Sequence, residues 1–309
     1  MTRPKVSVGL PVYNGERYLP NALMRLLEQD FENFELIVSD NASTDGTEEI
    51  CRFFAQTDGR IRYSRNETNI GGARNFNRVF GLSSGEYYKL ANADDACAPD
   101  LVASCAGVLD RYPEVVLCYA QTTLIDERGA VIREYDDGLD LRSTKVTERF
   151  RAAMHGVKLV NVFQGLLRSS AMRKTRLMGS YCASDALLLE ELALYGQFWE
   201  IPRRLFFRRL HSRAASSIRS PLTRMQFIDP SIKDGAMILW RHQFERIASI
   251  VRAPLAPGEK AVLIGIVLRF AIANRCSLLG ELANRAKGTA RRWSRLPLLS
   301  RGEIPQGRS

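Results

Sequence analysis

The sequence predicts an α/β protein built on a mostly parallel sheet, and three observations carry that reading. Short β-rich runs alternate with longer helical patterns through the first half, the layout of strands joined by crossover helices. Each short run is apolar enough to be buried on both faces. The helical stretches are opened by cap-like runs, Asn14-Gly15-Glu16 and Ser43-Thr44-Asp45. With 309 residues, 45% of them hydrophobic, there is apolar material for a sizeable core, which excludes a disordered chain and a disulfide-stapled miniprotein.

Taken in order, strands are predicted over 6–10, 35–39, 60–64 and 87–90, with helices over 17–29, 45–56 and 72–82 between them. A helix after Pro99 should run to about Arg111 and feed a strand at 115–119. Beyond residue 120 the rhythm loosens: Asp126-Glu127-Arg128-Gly129 reads as a hairpin turn and 136–143 as a polar loop. DALLLEELALYG predicts a helix over 184–196, and FWEIPRRLFFRRLH a strand-like run behind it. From about 221 the chain turns helical, with one long helix expected at 258–285 and a poorly ordered end over 288–309. The organisation expected is a catalytic domain over 1–218, with halves 1–118 and 119–218, and a helical basic extension over 219–309.

Charge follows this division. The formal net charge is +10, yet residues 201–309 hold 21 Lys/Arg against 6 Asp/Glu, so the excess belongs to the C-terminal third. The six cysteines form no CxxC pair, which argues against a zinc or redox motif. The N-terminus shows no apolar signal core, and the apolar run 261–273 is too short to span a bilayer and contains Arg269. The expected location is the cytoplasm, or the inner face of the membrane.

Six segments carry candidate chemistry. VSVGLPVYNGERYL and FELIVSDNASTDGT each end a strand in a polar turn, where open α/β sheets bind ligands. Asp40 could accept from a base N–H while Pro11, Tyr13 and Glu16 shape the pocket; ordinary turns with helix caps would also satisfy the pattern. In YYKLANADDACAPD, the adjacent Asp94 and Asp95 repel unless a cation or a proton intervenes, which suggests a divalent metal or two helix-capping acids. Asn69 to Asn77 combines glycines, a helix start and Arg74, features suited to a diphosphate, with Asn75 and Asn77 either ligand contacts or braces for buried backbone. Asp185, at the start of the 184–196 helix, could be a general base or a plain cap; Glu190 and Glu191 lie further in, where charges usually face solvent. His211 is one of only three histidines, and Arg208, Arg209 and Arg213 around it could hold phosphate oxygens or form a solvated face.

In the order PVYNGERYL, LIVSDNASTDGT, NETNIGGARNFNRVF and GEYYKLANADD, residues 5–118 resemble the family 2 glycosyltransferases. The resemblance implies the GT-A fold and inverting sugar transfer from a nucleotide-sugar with Mg²⁺ or Mn²⁺. It implies that Pro11, Tyr13, Glu16 and Asp40 contact the nucleotide, that Asp94 approaches the ribose and that Asp95 binds the metal. Asp185 then matches the base, His211 a metal or diphosphate contact, and Gly165 a glycine loop near the donor sugar. Ser39 replaces the first of two acids common there, leaving Asp40 as the base-contacting one.

The implied partners are the donor and a glycan or lipid-linked acceptor, with an anionic membrane surface reached by the basic extension and no nucleic acid. A sugar-phosphate nucleotidylyltransferase would open on a glycine-rich, Arg-containing phosphate loop, which GLPVYNGER is not. A non-catalytic basic adaptor on membrane or nucleic acid is the rival from another class; the RNA- and DNA-binding signatures that would favour it are not evident.

Overall fold

The computed structural model describes residues 3–286 except 215, 216, 219 and 233–236. Its elements are β1 (Val6–Val12), α1 (Leu19–Leu27), β2 (Phe34–Asp40), α2 (Thr47–Thr57), β3 (Ile61–Arg65), α3 (Gly72–Gly81), β4 (Tyr87–Leu90), β5 (Ala96–Cys97), α4 (Leu101–Arg111), β6 (Val115–Ile125) and β7 (Val131–Tyr135). There follow α5 (Val146–Gly156), β8 (Leu166–Arg168), α6 (Ser169–Met172), α7 (Ser184–Tyr195), β9 (Gln197–Arg209), α8 (Pro221–Ile228), α9 (Ile238–Arg252), α10 (Pro257–Ala273) and α11 (Arg275–Ala286).

One sheet runs in the order β3-β2-β1-β4-β8-β6-β9-β5, with β7 beside β6. The strands β1, β2, β3 and β4 pair in parallel, and β6 pairs in parallel with β9. The short β8 is antiparallel to both β4 and β6, so it splices two parallel halves that share one direction. Consequently the carboxyl ends of β1, β2, β4 and β9 meet along one rim. Every residue of β2 is buried, as is every residue of β1 except Pro11, because helices cover both faces. On one face Val8, Leu10, Leu36 and Val38 pack with Leu19 and Leu23 of α1 and Leu101 and Cys105 of α4. On the other, Tyr88, Leu117 and Phe198 pack with Phe76 and Phe80 of α3 and Leu188 and Leu192 of α7.

The predicted strands of the first half all form, and several later readings are corrected. The 115–119 strand extends to Ile125, because its second half pairs with β9 and with β7 across the 126–130 turn, where Asp126 accepts from the Arg128 and Ala130 amides at 2.8 Å each. The 136–143 segment forms a loop as expected, but an anchored one: Asp137, Leu139 and Leu141 are buried, and the Leu139 amide donates to the Tyr119 hydroxyl at 3.0 Å. The single helix expected at 258–285 is two, bent by 67° where α10 meets α11. Glu190 and Glu191 do not face solvent. Both are buried, Glu190 in a two-pronged ion pair with Arg246 of α9 at 2.6 and 2.8 Å and Glu191 with Arg252 at 2.7 Å. With the apolar cluster of Phe150, Leu194, Ile250, Leu263 and Val267, these pairs pack the C-terminal helices onto α5 and α7. The tail over 288–309 lies outside the described residues.

Candidate active site

Two loops at the carboxyl ends of β1 and β2 clasp each other. Asn14, held at a positive φ of 52°, accepts from the Thr44 amide at 2.8 Å while its own amide donates to the Ser43 hydroxyl at 2.9 Å. Glu16 accepts from the Gly46 amide at 2.7 Å, and the Gly15 amide donates to Thr47 at 2.9 Å. Tyr13 stays 42% exposed above this clasp, and Pro11 lies half-buried on the strand below it. Asp40 is fully buried. One oxygen accepts from the Ser43 amide at 2.9 Å, and the other accepts from the Tyr63 hydroxyl at 2.9 Å and from Arg65. Burial raises the pKa of that carboxyl, but its hydrogen bonds to Ser43, Tyr63 and Arg65 outweigh burial and hold it below the usual carboxylate range. A base N–H would reach Asp40 only in exchange for one of these donors.

In the Asn69–Asn77 segment, Gly71 and Arg74 both meet the C-terminal end of α8. Gly71, at φ 87°, does make a close backbone approach, but to the end of α8: a Cβ there would stand 2.4 Å from the Ile228 carbonyl. Arg74 pairs with Asp229 at 3.2 Å and is otherwise well exposed. Asn75 is a brace. It is 2% exposed, accepts from the Ser39 hydroxyl at 2.7 Å and from Asn66 at 3.1 Å, and donates to the Ser39 carbonyl at 2.8 Å, so the side chain is spent inside the wall. Asn77 likewise makes paired bonds to the Met178 backbone.

The two adjacent acids separate sharply. The Asp94 side chain is 30% exposed, and its Oδ2 lies 2.9 Å from Nε2 of His211, whose side chain is 7% exposed. Asp95 is turned inward, 8% exposed, accepting from the Asn92 side chain and from the Arg209 amide at 2.8 Å each. Burial, then the neighbouring Asp94 charge, pushes its pKa up to about 7. Asp94 is thus the carboxylate that meets the histidine, while Asp95, the acid expected to bind the metal, is turned toward Asn92 and Arg209. A buried histidine whose other ring nitrogen, Nδ1, has no hydrogen-bond partner among the described residues, set against an open carboxylate, is a nitrogen and oxygen donor set suited to Mg²⁺ or Mn²⁺. No group of three His, Cys, Asp or Glu side chains converges among the described residues, so protein would supply only part of a coordination shell.

Arg209 ties this corner together, a role that sequence alone had left between phosphate contact and solvated face. It is 8% exposed, lies 5.0 Å over the Tyr18 ring, and donates to the carbonyls of Asp94 at 2.9 Å, Asp126 at 3.0 Å and Glu127 at 3.2 Å. Tyr18 in turn sits 4.8 Å from the His211 ring. Arg208 is spent on the Leu159 carbonyl and Asn161, both at 2.6 Å. Asp185 is half-buried in the first turn of α7, its Oδ1 accepting the Ala186 amide at 2.9 Å. Gly196 alone joins α7 to β9, so Asp185 lies at the end of α7 remote from that junction. Gly165 is required by packing: a Cβ there would stand 2.0 Å from the Cys118 carbonyl.

A parallel sheet with acids and a histidine gathered on its carboxyl rim, closed by an antiparallel splice, is the arrangement of the GT-A glycosyltransferases. The sequence profile described as Glycosyl transferase family 2 matches residues 7–169, and the chain belongs to that family. It is 36% identical over 124 residues to the abequosyltransferase RfbV of Salmonella typhimurium, covering 39% of this chain and 37% of that one. A glycosyltransferase of Haemophilus influenzae is 25% identical over 220 residues, or 70% of this chain and 68% of the other. Among solved structures, residues 1–349 of Staphylococcus aureus TarS in complex with UDP-GlcNAc superpose with a TM-score of 0.65 at 18% identity, over 91% of this chain and 77% of that one. The mannosyltransferase PcManGT of Pyrobaculum calidifontis, in complex with GDP-Man and Mn²⁺, gives 0.54 at 18% identity, over 93% and 81%. The chain is a glycosyltransferase.

Proposed function

We propose that the rim moves a sugar from a nucleotide-sugar to an acceptor hydroxyl with inversion at the anomeric carbon, in the assembly of a cell-surface glycan or glycolipid. The 2.9 Å contact between Asp94 and His211, at the point where β4 and β9 end, carries this reading. Asp94 and His211 would hold Mg²⁺ or Mn²⁺, whose chemistry there is to offset charge on the departing diphosphate. Tyr13 and Pro11 would flank the base, with Asp40 setting the Arg65 and Ser43 groups around it and Glu16 fixing the loop. Arg74 would turn from Asp229 to the diphosphate. Asp185 takes the acceptor proton as the new bond from the acceptor oxygen forms and the bond to the diphosphate breaks. That acid lies outside the two-loop clasp, so donor and acceptor would be read by different segments. The expected setting is the cytoplasmic side of a membrane, with a lipid-linked acceptor.

Incubation with UDP-, GDP- and dTDP-sugars and Mn²⁺ tests the reading. Thermal protection by one nucleoside diphosphate, and release of it from the matching sugar donor, is expected. Equal protection by none of them, in Mn²⁺ and in EDTA, would overturn it.

A further inference from the structure

The C-terminal helices present an unusual pair of faces. Inward, α10 buries Leu263, Ile266 and Val267, and α11 buries Leu278 together with Glu281, which accepts from the Leu239 and Trp240 amides at 3.0 and 3.2 Å and so caps α9. Outward, where a surface helix ordinarily carries polar residues, α10 exposes Val262 at 54%, Leu268 at 50% and Ile272 at 63%, and α11 exposes Leu279 at 59%. The outward positions Leu268 and Ile272 on α10, and Cys276, Leu279 and Ala283 on α11, lie three or four residues apart within each helix, so each helix carries an outward apolar stripe. Val251 and Phe244, a helical double turn apart on α9, are exposed as well. A core helix would bury such residues and a solvated one would not have them.

Charge indicates what covers this stripe. From 261 to the end of the sequence there are nine Lys/Arg and two Asp/Glu, and one of those acids is the buried Glu281. Arg269 and Arg275 are exposed on either side of the bend, within the apolar stripe itself. Large apolar side chains beside an excess of cations match an anionic bilayer surface, where the apolar groups enter the acyl boundary and the cations meet headgroups. No single described helix is long and apolar enough to cross a membrane, although α10 and the first part of α11, bent by 67°, reach that length and apolarity together.

We infer that the outer stripe of α10 and α11, centred on Leu268, Ile272 and Leu279, is a docking surface for an anionic membrane leaflet. This rests on the membrane setting proposed above and gives it a location in folded residues rather than in the basic tail. The stripe supplies the apolar contact, Arg269 and Arg275 select anionic headgroups, and the remaining cations of the sequence after Arg275 add attraction that salt can screen.

The test is co-sedimentation of the full chain with phosphatidylcholine vesicles, with and without 30% phosphatidylglycerol, at two salt concentrations. Wild type should sediment only with the anionic vesicles. Ile272→Asp combined with Leu279→Asp should weaken that binding at least tenfold, whereas Phe53→Asp, at an equally exposed apolar site on α2, should not. Because the stripe positions are exposed, the double variant should keep its melting temperature and circular dichroism, and Leu268→Ser with Ile272→Ser provides a milder version if it does not. Wild-type binding with no loss in either stripe variant would overturn the stripe while leaving a membrane setting intact. No wild-type binding would overturn both. A wild-type dimer by light scattering that the double variant converts to monomer would assign the stripe to a second copy and overturn the inference.

Discussion

The rim loops and the C-terminal helices use the same kinds of residue in opposite ways. At the rim, polar side chains are collected at strand ends and tied to backbone amides, as Asn14, Glu16 and Asp40 are, while the apolar residues beneath them fill the core. Where the C-terminal helices meet α7, charges are buried in the pairs of Glu190 with Arg246 and Glu191 with Arg252, while Val262, Leu268, Ile272 and Leu279 go outward beside exposed Arg269 and Arg275. The rim is thus a polar surface whose loops are tied to one another through backbone amides. The helices are a wedge keyed to the core by charge and left apolar on the far side. Whether a region is built for a ligand or for an interface can be read from which class of side chain it spends on itself.

The largest separation of the two regions is expected from Asp185→Asn. Turnover should fall by about 10²–10⁴-fold, the scale of general-base removal, with donor affinity held within about twofold. Kinetics beside a nucleotide titration check both halves, and a fully active variant would move the base elsewhere. Next comes Glu190→Gln, which leaves a buried guanidinium with a weakened partner. Breaking a buried pair of this kind costs about 3–5 kcal/mol, so the unfolding midpoint in urea should drop markedly, and Arg246→Met in the same background should restore part of it. A neutral Glu190→Gln would show that the wedge is held by apolar contact alone. Arg209→Lys should act at the rim: losing the fork that spans three carbonyls while keeping the charge, it should raise the Mn²⁺ requirement for donor binding several-fold with a smaller effect on the melting temperature.

The smallest effect concerns pH. Glu35 accepts from the Ser7 hydroxyl at 2.6 Å, from the Ser84 amide and hydroxyl at 3.0 and 2.7 Å, and from Arg62 at 2.6 Å. Burial opposes ionisation of Glu35, but these partners outweigh it and lower the pKa. A carboxyl lowered in the folded state binds fewer protons there than in the unfolded chain, so its contribution is present above about pH 4.3 and is lost as pH falls through the folded value. Melting of Glu35→Gln should therefore be less steep in pH between 5 and 3 than that of wild type. An unchanged slope would show that the carboxylate contributes nothing through its charge.

The order of strands and helices in the first half was legible in sequence because each element there is local: an apolar run sets β1, β2 and β4, and a cap or glycine opens the helix after it. What was not legible depends on distant partners. Nothing near Glu190 announces Arg246, fifty-six residues on, so a charge within a helix read as solvent-facing. Asp94 and Asp95 are neighbours with the same chemistry, and only Arg209, brought alongside by β9, turns one inward and leaves the other to His211. Asn92 was the one available signal, an amide three residues ahead that could bond the inner acid. Asn75 read as a ligand contact because a helix start above a sheet suits either role, and the Ser39 hydroxyl and carbonyl decide it.

The separation of those two acids is the centre of the account, and Mn²⁺ affinity in the presence of a nucleoside diphosphate measures it most directly. Titration of wild type, Asp94→Asn, Asp95→Asn and His211→Ala by Mn²⁺ electron paramagnetic resonance should show affinity falling at least tenfold in Asp94→Asn and in His211→Ala. Asp95→Asn, which keeps an acceptor for the Arg209 amide, should bind Mn²⁺ within about threefold of wild type and lose thermal stability instead. The reverse pattern, with Mn²⁺ binding lost in Asp95→Asn and kept in Asp94→Asn, would contradict the account and return the metal to the inner acid.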